Sequence, residues 1–175
     1  MQKVLLKPLE DLWREPDHGI WEVRGARRAF THSRLMCWVA LDRSVKSCER
    51  FGLEGPVDRW RSLADEIRTD ICTHGYDAQR NTFVQYYGGT ALDASLLLIA
   101  QVGFLPADDP RVTGTVQAIE RELLRDGLLL RYSTQHSDDG LPGDEGVFLA
   151  CSFWLADAYI CLLYTSDAAD EEDSV

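Results

Sequence analysis

Six helix-like segments follow one another along this chain, and they alternate between helices apolar on one face and helices apolar all round. No run of strand-like alternation separates them. The segments span residues 4–13 (weakened by Pro8), 30–51, 57–74, 92–102, 111–126 and 146 to about 163. The second places Leu35, Trp38, Leu41, Val45, Cys48 and Phe51 on one stripe and stops at Gly52. The third follows Pro56, aligns Val57, Trp60, Leu63, Ile67 and Ile71, and ends at Gly75. The fourth carries Leu96, Leu97, Leu98, Ile99 and Ala100 in succession, so it requires cover on every side. The fifth is one-faced through Val112, Val116, Ile119 and Leu123, with Gly127 as its stop, and the sixth is apolar all round. Segments one, three and five therefore read as outer helices; four, six and residues 30–41 read as inner ones. A concentric α/α array produces that order, whereas a plain bundle makes every helix amphipathic.

The connections repeat the pattern. Inner-to-outer links are short, at 52–56 and 103–110, while outer-to-inner links are long, at 15–29, 76–91 and 128–145. In an up-and-down array all the long ones emerge at one end. They hold Trp21 and Glu22, then Tyr86 and Tyr87 with Asp93 just beyond, then Arg131, Tyr132, Asp138, Asp139, Asp144 and Glu145. Long loops commonly carry function. Aromatic rings that cover C–H surfaces, beside carboxylates and a guanidinium that take hydroxyls, suit a polyhydroxylated ligand.

The composition excludes several classes. With 175 residues, 45% hydrophobic and 27% charged, the chain is globular and of single-domain length, short for a large barrel enzyme unless it is a piece of one. A net charge of −11 opposes a nucleic-acid partner and an anionic membrane surface. The last ten residues hold five acids and no base, so residues 1–165 carry −6 of the −11. Cys37, Cys48, Cys72, Cys151 and Cys161 are odd in number and scattered, which implies reduced core thiols. His18, His32, His74 and His136 lack ligand spacing, so no metal and no cofactor is expected. His32, near the start of an inner helix, either faces the site or makes a structural hydrogen bond, the second being the favoured reading. With neither a membrane span nor a signal peptide legible, a cytoplasmic location is expected if Met1 is the true start.

The sharpest chemical segment is GIWEVRG at residues 19–25. Glu22 lies between Trp21 and Val23, and partial desolvation there is expected to raise its pKa toward that of a general acid. A helix cap or an ion pair with Arg24 or Arg28 explains the same residue without catalysis.

That segment, with FTHSRLMCWVALDRS, LDASLLLIAQVGFLPADDPRV, AIERELLRDGLLLRY and GLPGDEGVFLACSFWLADA, resembles glycoside hydrolase family 15 from about residue 17 to 159. The family contains glucoamylases, glucodextranases and bacterial and archaeal trehalases, and the similarity leans to the bacterial trehalase and glucoamylase-like branch. The resemblance implies an all-α, (α/α)6 toroid with its site among loops at one end, about half of it present here. It implies an exo-acting, inverting α-glucoside hydrolase, trehalase-like or glucoamylase-like, whose two carboxylates stand ~6.5–9.5 Å apart. The family acid follows a Trp and falls on Glu22, with Ile20 and Trp21 as sugar contacts. Val23 replaces a second Glu of the fungal pattern, which puts polymer specificity in doubt. Arg131 and Tyr132 match an Arg-Tyr pair whose Arg binds sugar at the cleavage point, although Arg131 also reads as an ordinary surface residue. Glu145 and Asp144 fall in a motif near the substrate mouth. Asp93 matches an Asp opening the fourth helix, where it either orients loop residues or, the simpler reading, caps that helix.

The same resemblance implies that the base lies in a Glu-Glu-Tyr-Asp motif beyond the end of this chain. Residues 1–163 accordingly read as a partial catalytic domain, while 164–175 read as a non-native or disordered acidic tail, the other reading being an authentic one. The rival to the enzyme is a non-catalytic helical-hairpin scaffold that binds carbohydrate or protein. Convergence of Glu22, Arg131 and Asp93 on one mouth discriminates between the two.

Overall fold

Helices α2 (Thr31–Phe51) and α3 (Val57–His74) pack as a hairpin, and their facing stripes build the first half of the core. The computed structural model describes residues 2–133 and 146–172, with side chains described for 4–133 and 146–163. Leu35, Trp38, Leu41, Val45 and Cys48 are buried on α2, and Trp60, Ala64, Ile67 and Ile71 on α3. These offsets of three and four are the helical repeat read from the sequence. Phe51, expected on the stripe, is exposed instead, because the chain turns away directly after it. Helix α1 (Gln2–Leu12) runs through Pro8 and lies against α2, with Leu6 and Trp13 buried.

The apolar fourth segment is enclosed. It forms a 3-10 turn, Ala94–Leu97, leading into a single turn, α4 (Leu98–Gln101). The turn touches α2, α5 (Pro110–Leu123) and α6 (Leu149–Glu172), and Leu96, Leu97, Ile99 and Ala100 are buried. The helix expected over 92–102 is thus shorter, since Asp93 is extended, at φ −140° and ψ 162°, and bridges to Tyr132. In α5, Asp109 caps the start by accepting from the Arg111 N–H, and Pro110 occupies the first turn.

Two small hairpins depart from the sequence reading. β1 (Tyr76–Asp77) pairs with β2 (Thr82–Phe83), and β3 (Leu124–Arg125) pairs with β4 (Leu128–Leu129). The fifth helix, expected to reach residue 126, ends at Leu123 for this reason. Asp126 and Gly127 have φ of 49° and 80°, positive at both as a tight two-residue hairpin turn requires, so Gly127 serves that turn and is not a helix stop.

Helix α6 is covered on one side. Cys151, Leu155 and Ala158 are buried, whereas Phe153, Ile160 and Leu163 are exposed. The burial on every side expected of an inner helix is met around Ala94–Leu97 and not here. Among the described residues no helix is long and apolar enough to cross a membrane.

The long connections meet as the array requires. Thr31 N–H donates to the Gln85 carbonyl at 3.0 Å and Tyr87 N–H to that of Ala29 at 3.0 Å; Ala94 N–H reaches the Arg131 carbonyl at 2.8 Å. All three loops therefore share one end of the helices.

One contact tests the packing of the first hairpin turn. A Cβ at Gly114 on α5 would stand 2.1 Å from the backbone oxygen of Asn81, next to the Phe83 N–H donated to Thr115 Oγ at 3.0 Å. Gly114→Ala is expected to lower stability by about 1–3 kcal/mol, as overpacking against backbone does, measured by urea unfolding of the chain.

Candidate active site

The loop bearing Trp21 and Glu22 is closed at its base by a pair of backbone bonds. Asp17 and Arg28 exchange N–H···O=C bonds of 3.0 and 2.9 Å. Above them Gly19 turns the chain at φ 68°, where a Cβ would sit 2.9 Å from the Phe30 ring, so any other side chain is barred twice over. Glu22 N–H donates to the Gly19 carbonyl at 3.2 Å and Val23 N–H to that of His18 at 3.1 Å. The buried Arg34 guanidinium fixes the approach by donating to the Arg14 carbonyl at 2.8 Å and the Glu15 carbonyl at 3.3 Å.

Glu22 itself sits at φ 49°. Asn81 and Asp126 share that left-handed region, and their short polar side chains tolerate it. A glutamate has no such excuse, and residues held there, at a cost of about 1–3 kcal/mol, cluster at functional sites. Glu22 is exposed rather than enclosed between Trp21 and Val23. Among the described residues it forms no ion pair with Arg24 or Arg28. Nor does it cap a helix: it stands in the loop ahead of α2.

Trp21 points the other way, half-buried, and organises an aromatic wall. Its ring centroid lies 6.3 Å from that of Tyr132, 6.2 Å from Phe148 and 6.1 Å from Trp154. The Arg131 guanidinium carbon stands 5.6 Å from the Trp21 centroid, 5.5 Å from Tyr132 and 5.9 Å from Phe148. Such cation–π placement holds a guanidinium in position against the rings.

Asp93 is the acid beneath this wall, 2% exposed. Its Oδ2 accepts from Trp21 Nε1 at 2.8 Å and Gln85 Nε2 at 3.4 Å, and its Oδ1 accepts from Ser95 Oγ at 2.6 Å. Burial pushes its pKa up to about 6 against the pull of the Ser95, Trp21 and Gln85 hydrogen bonds. The side chain makes no cap to the helical turn that follows, so the capping role is replaced by a tie across 72 residues to Trp21. On the neighbouring face of α6, burial drives the Cys151 thiol up to about 12, reinforced by Asp93 and opposed by Arg131.

A sequence model of the family described as "Glycosyl hydrolases family 15" matches residues 1–171. The chain belongs to glycosyl hydrolase family 15. It is 57% identical over 148 residues to the trehalase of Mycobacterium tuberculosis, covering 85% of this chain and 22% of that protein. With the trehalase of Thermoplasma acidophilum the identity is 42% over 158 residues, 90% of this chain and 27% of the relative. The chain thus spans about a quarter of the length of these relatives. A glycosidase variant solved in complex with glucose superposes with a TM-score of 0.78 at 20% identity, over 95% of this chain and 43% of that one. The fold is accordingly the six-hairpin glycosidase toroid, partially represented.

In this family-15 chain the structure brings Trp21, Arg131 and Tyr132 together, with Glu22 adjacent and Ile20 at the exposed rim. Glu145, Asp144, Asp138, Asp139 and His136 lie outside the described residues. Tyr86 and Tyr87 act as anchors: Arg28 lies 4.2 Å over the Tyr86 ring, and Tyr87 Oη donates to Asp70 at 2.8 Å. Sequence reasoning missed Phe148 and Trp154, although both stand in the stretch that carried the resemblance. Their signal was an aromatic pair six residues apart at the start of an apolar helix.

Two buried groups give opposing pH dependences. Asp93 in the folded chain holds its proton up to about 6, above the ordinary 3.8, so stability falls as pH rises through that window. His32, whose pKa burial lowers from 6.5 to about 4 against the pull of Asp17, does the reverse, because there the unfolded chain binds more protons. Among the described residues the His32 ring makes no hydrogen bond, against the structural bond favoured from sequence. Between pH 4 and 6, stability relative to the parent is expected to rise more steeply with pH in Asp93→Asn and to rise less steeply or fall in His32→Gln. Urea unfolding across that range checks both signs.

Proposed function

We propose that this chain carries the acid half of an inverting, exo-acting α-glucoside hydrolase site, trehalase-like in its substrate. Glu22 is the general acid that protonates the glycosidic oxygen, Trp21 and Tyr132 cover the sugar at the cleavage point, and Arg131 binds its hydroxyls. Ile20 and Glu145 complete the contacts. The observation that supports this most directly is the convergence of Trp21, Arg131 and Tyr132 beside a glutamate held in a left-handed turn. The trehalases among the relatives favour trehalose over maltooligosaccharides as the first substrate to test.

Exposure of Glu22 fits an acid that meets its partner only when sugar arrives. A ring stacked on Trp21 would strip water from one side of the carboxyl, and that loss raises its proton affinity at the moment of transfer. Inversion requires a second carboxylate across the sugar to activate water. In this reading it comes from elsewhere in the protein.

Two outcomes follow. In the protein active on trehalose, Glu22→Gln is expected to reduce kcat by ~10²–10⁴-fold with little change in sugar affinity, since general acid catalysis supplies about that factor; undiminished turnover would sink the assignment. The 175-residue chain alone is expected to release no glucose from trehalose in a coupled assay. Sugar binding that persists while Glu22→Gln leaves a turnover rate intact points to another acid.

A further inference from the structure

We propose that Asp93 is a positioning residue of the site, one buried carboxylate that sets both the Trp21 wall and the Arg131–Tyr132 wall in register. This rests on the reading of those residues as the sugar-binding surface. Three separately looped segments are tied here. The side chain takes the Trp21 indole from the first long connection and the Gln85 amide from the second. The backbone reaches the third through the Asp93–Tyr132 bridge and the Ala94 N–H bond to the Arg131 carbonyl at 2.8 Å.

The chemistry explains why an acid occupies this place. Trp21 Nε1, Gln85 Nε2 and Ser95 Oγ all act as donors toward it. A carboxylate offers two acceptor oxygens and no donor, so it takes all three, each bond strengthened by the charge. Ser95, itself fully buried, fixes Oδ1 at 2.6 Å and thereby aims Oδ2 at the indole. Trp21 is only half-buried, and the indole bond adds a directional tie to its ring contacts. Glu22 is the next residue, and its left-handed turn inherits the placement. Among the described residues, the titratable and charged groups around Asp93 are Cys151 from α6 and Arg131 with Tyr132 from the segment after β4.

An asparagine at this position can turn its carbonyl oxygen to Trp21 and Gln85 and donate its amide N–H to Ser95 Oγ, which then accepts, keeping the three partners without a titratable proton. A leucine preserves bulk and accepts nothing. Indole N–H signals of the 175-residue chain, labelled with 15N-tryptophan and assigned by Trp21→Phe, read the difference. The Trp21 signal is expected to be protected from exchange and to shift with a midpoint near pH 6, following Asp93. Asp93→Asn keeps the protection and abolishes the titration. Asp93→Leu loses protection at least tenfold while the signals of Trp13, Trp38 and Trp60 keep their positions. A Trp21 signal that titrates unchanged in Asp93→Asn, or stays protected in a folded Asp93→Leu, overturns the proposal. So does a common shift of all five indoles in Asp93→Asn. Where Asp93→Leu fails to fold, Asp93→Asn decides alone. Trehalose titration reads the functional premise separately: a Trp21 signal that depends on Asp93 but ignores the sugar overturns the glycosidase reading of the wall and leaves the tie intact.

Discussion

The fourth segment, apolar on every side, is the one that its neighbours enclose. That enclosure places residues 94–101 among α2, α5 and α6, and the remaining arrangement follows from it. Burying Leu96, Leu97, Ile99 and Phe104 draws α2 in through Trp38, whose ring meets Phe104 edge to face at 5.1 Å. It draws α6 in through Cys151, Leu155 and Ala158. Because the segment begins with the extended residue Asp93, the same burial carries a carboxylate into the base of the loop cluster. The hydrophobic core and the candidate site are joined at that residue.

The site divides its two acids by environment. Asp93 is enclosed and triply hydrogen-bonded, while Glu22 is exposed on a left-handed turn. Trp21 stands between them, with its indole N–H committed to one acid and its backbone continuous with the other. Arg131 is held over three rings, which fixes a positive group at the aromatic wall. Rigid support beneath an exposed acid is the arrangement that the proposed catalytic role requires.

Much of this was legible in the chain. The stripes of α2 and α3, the enclosed fourth segment and the gathering of the long loops at one end all follow from periodicity and loop length. Trp21, Arg131 and Tyr132 were marked by motif resemblance. The two hairpins were not legible, because two-residue strands are too short for alternation, and the Asp126–Gly127 pair reads equally as a helix stop and a hairpin turn. The exposure of Glu22 was not legible for a conformational reason. Sequence neighbours bury a carboxyl only if the backbone turns it toward them, and φ 49° turns it away.

The amino-acid sequence by itself determined the mainly helical class, the enclosure of the fourth segment and which residue types collect at the loop end, since these depend on local periodicity and on the cost of exposing apolar surface. Only the tertiary structure decided which acid is buried and which is presented. Asp93 and Trp21 are 72 residues apart, and no local rule links a carboxylate that looks like a helix cap to an indole on another loop. Their bond exists because closing the core around residues 94–101 leaves the indole N–H and the carboxylate facing each other, where each would otherwise lose a partner.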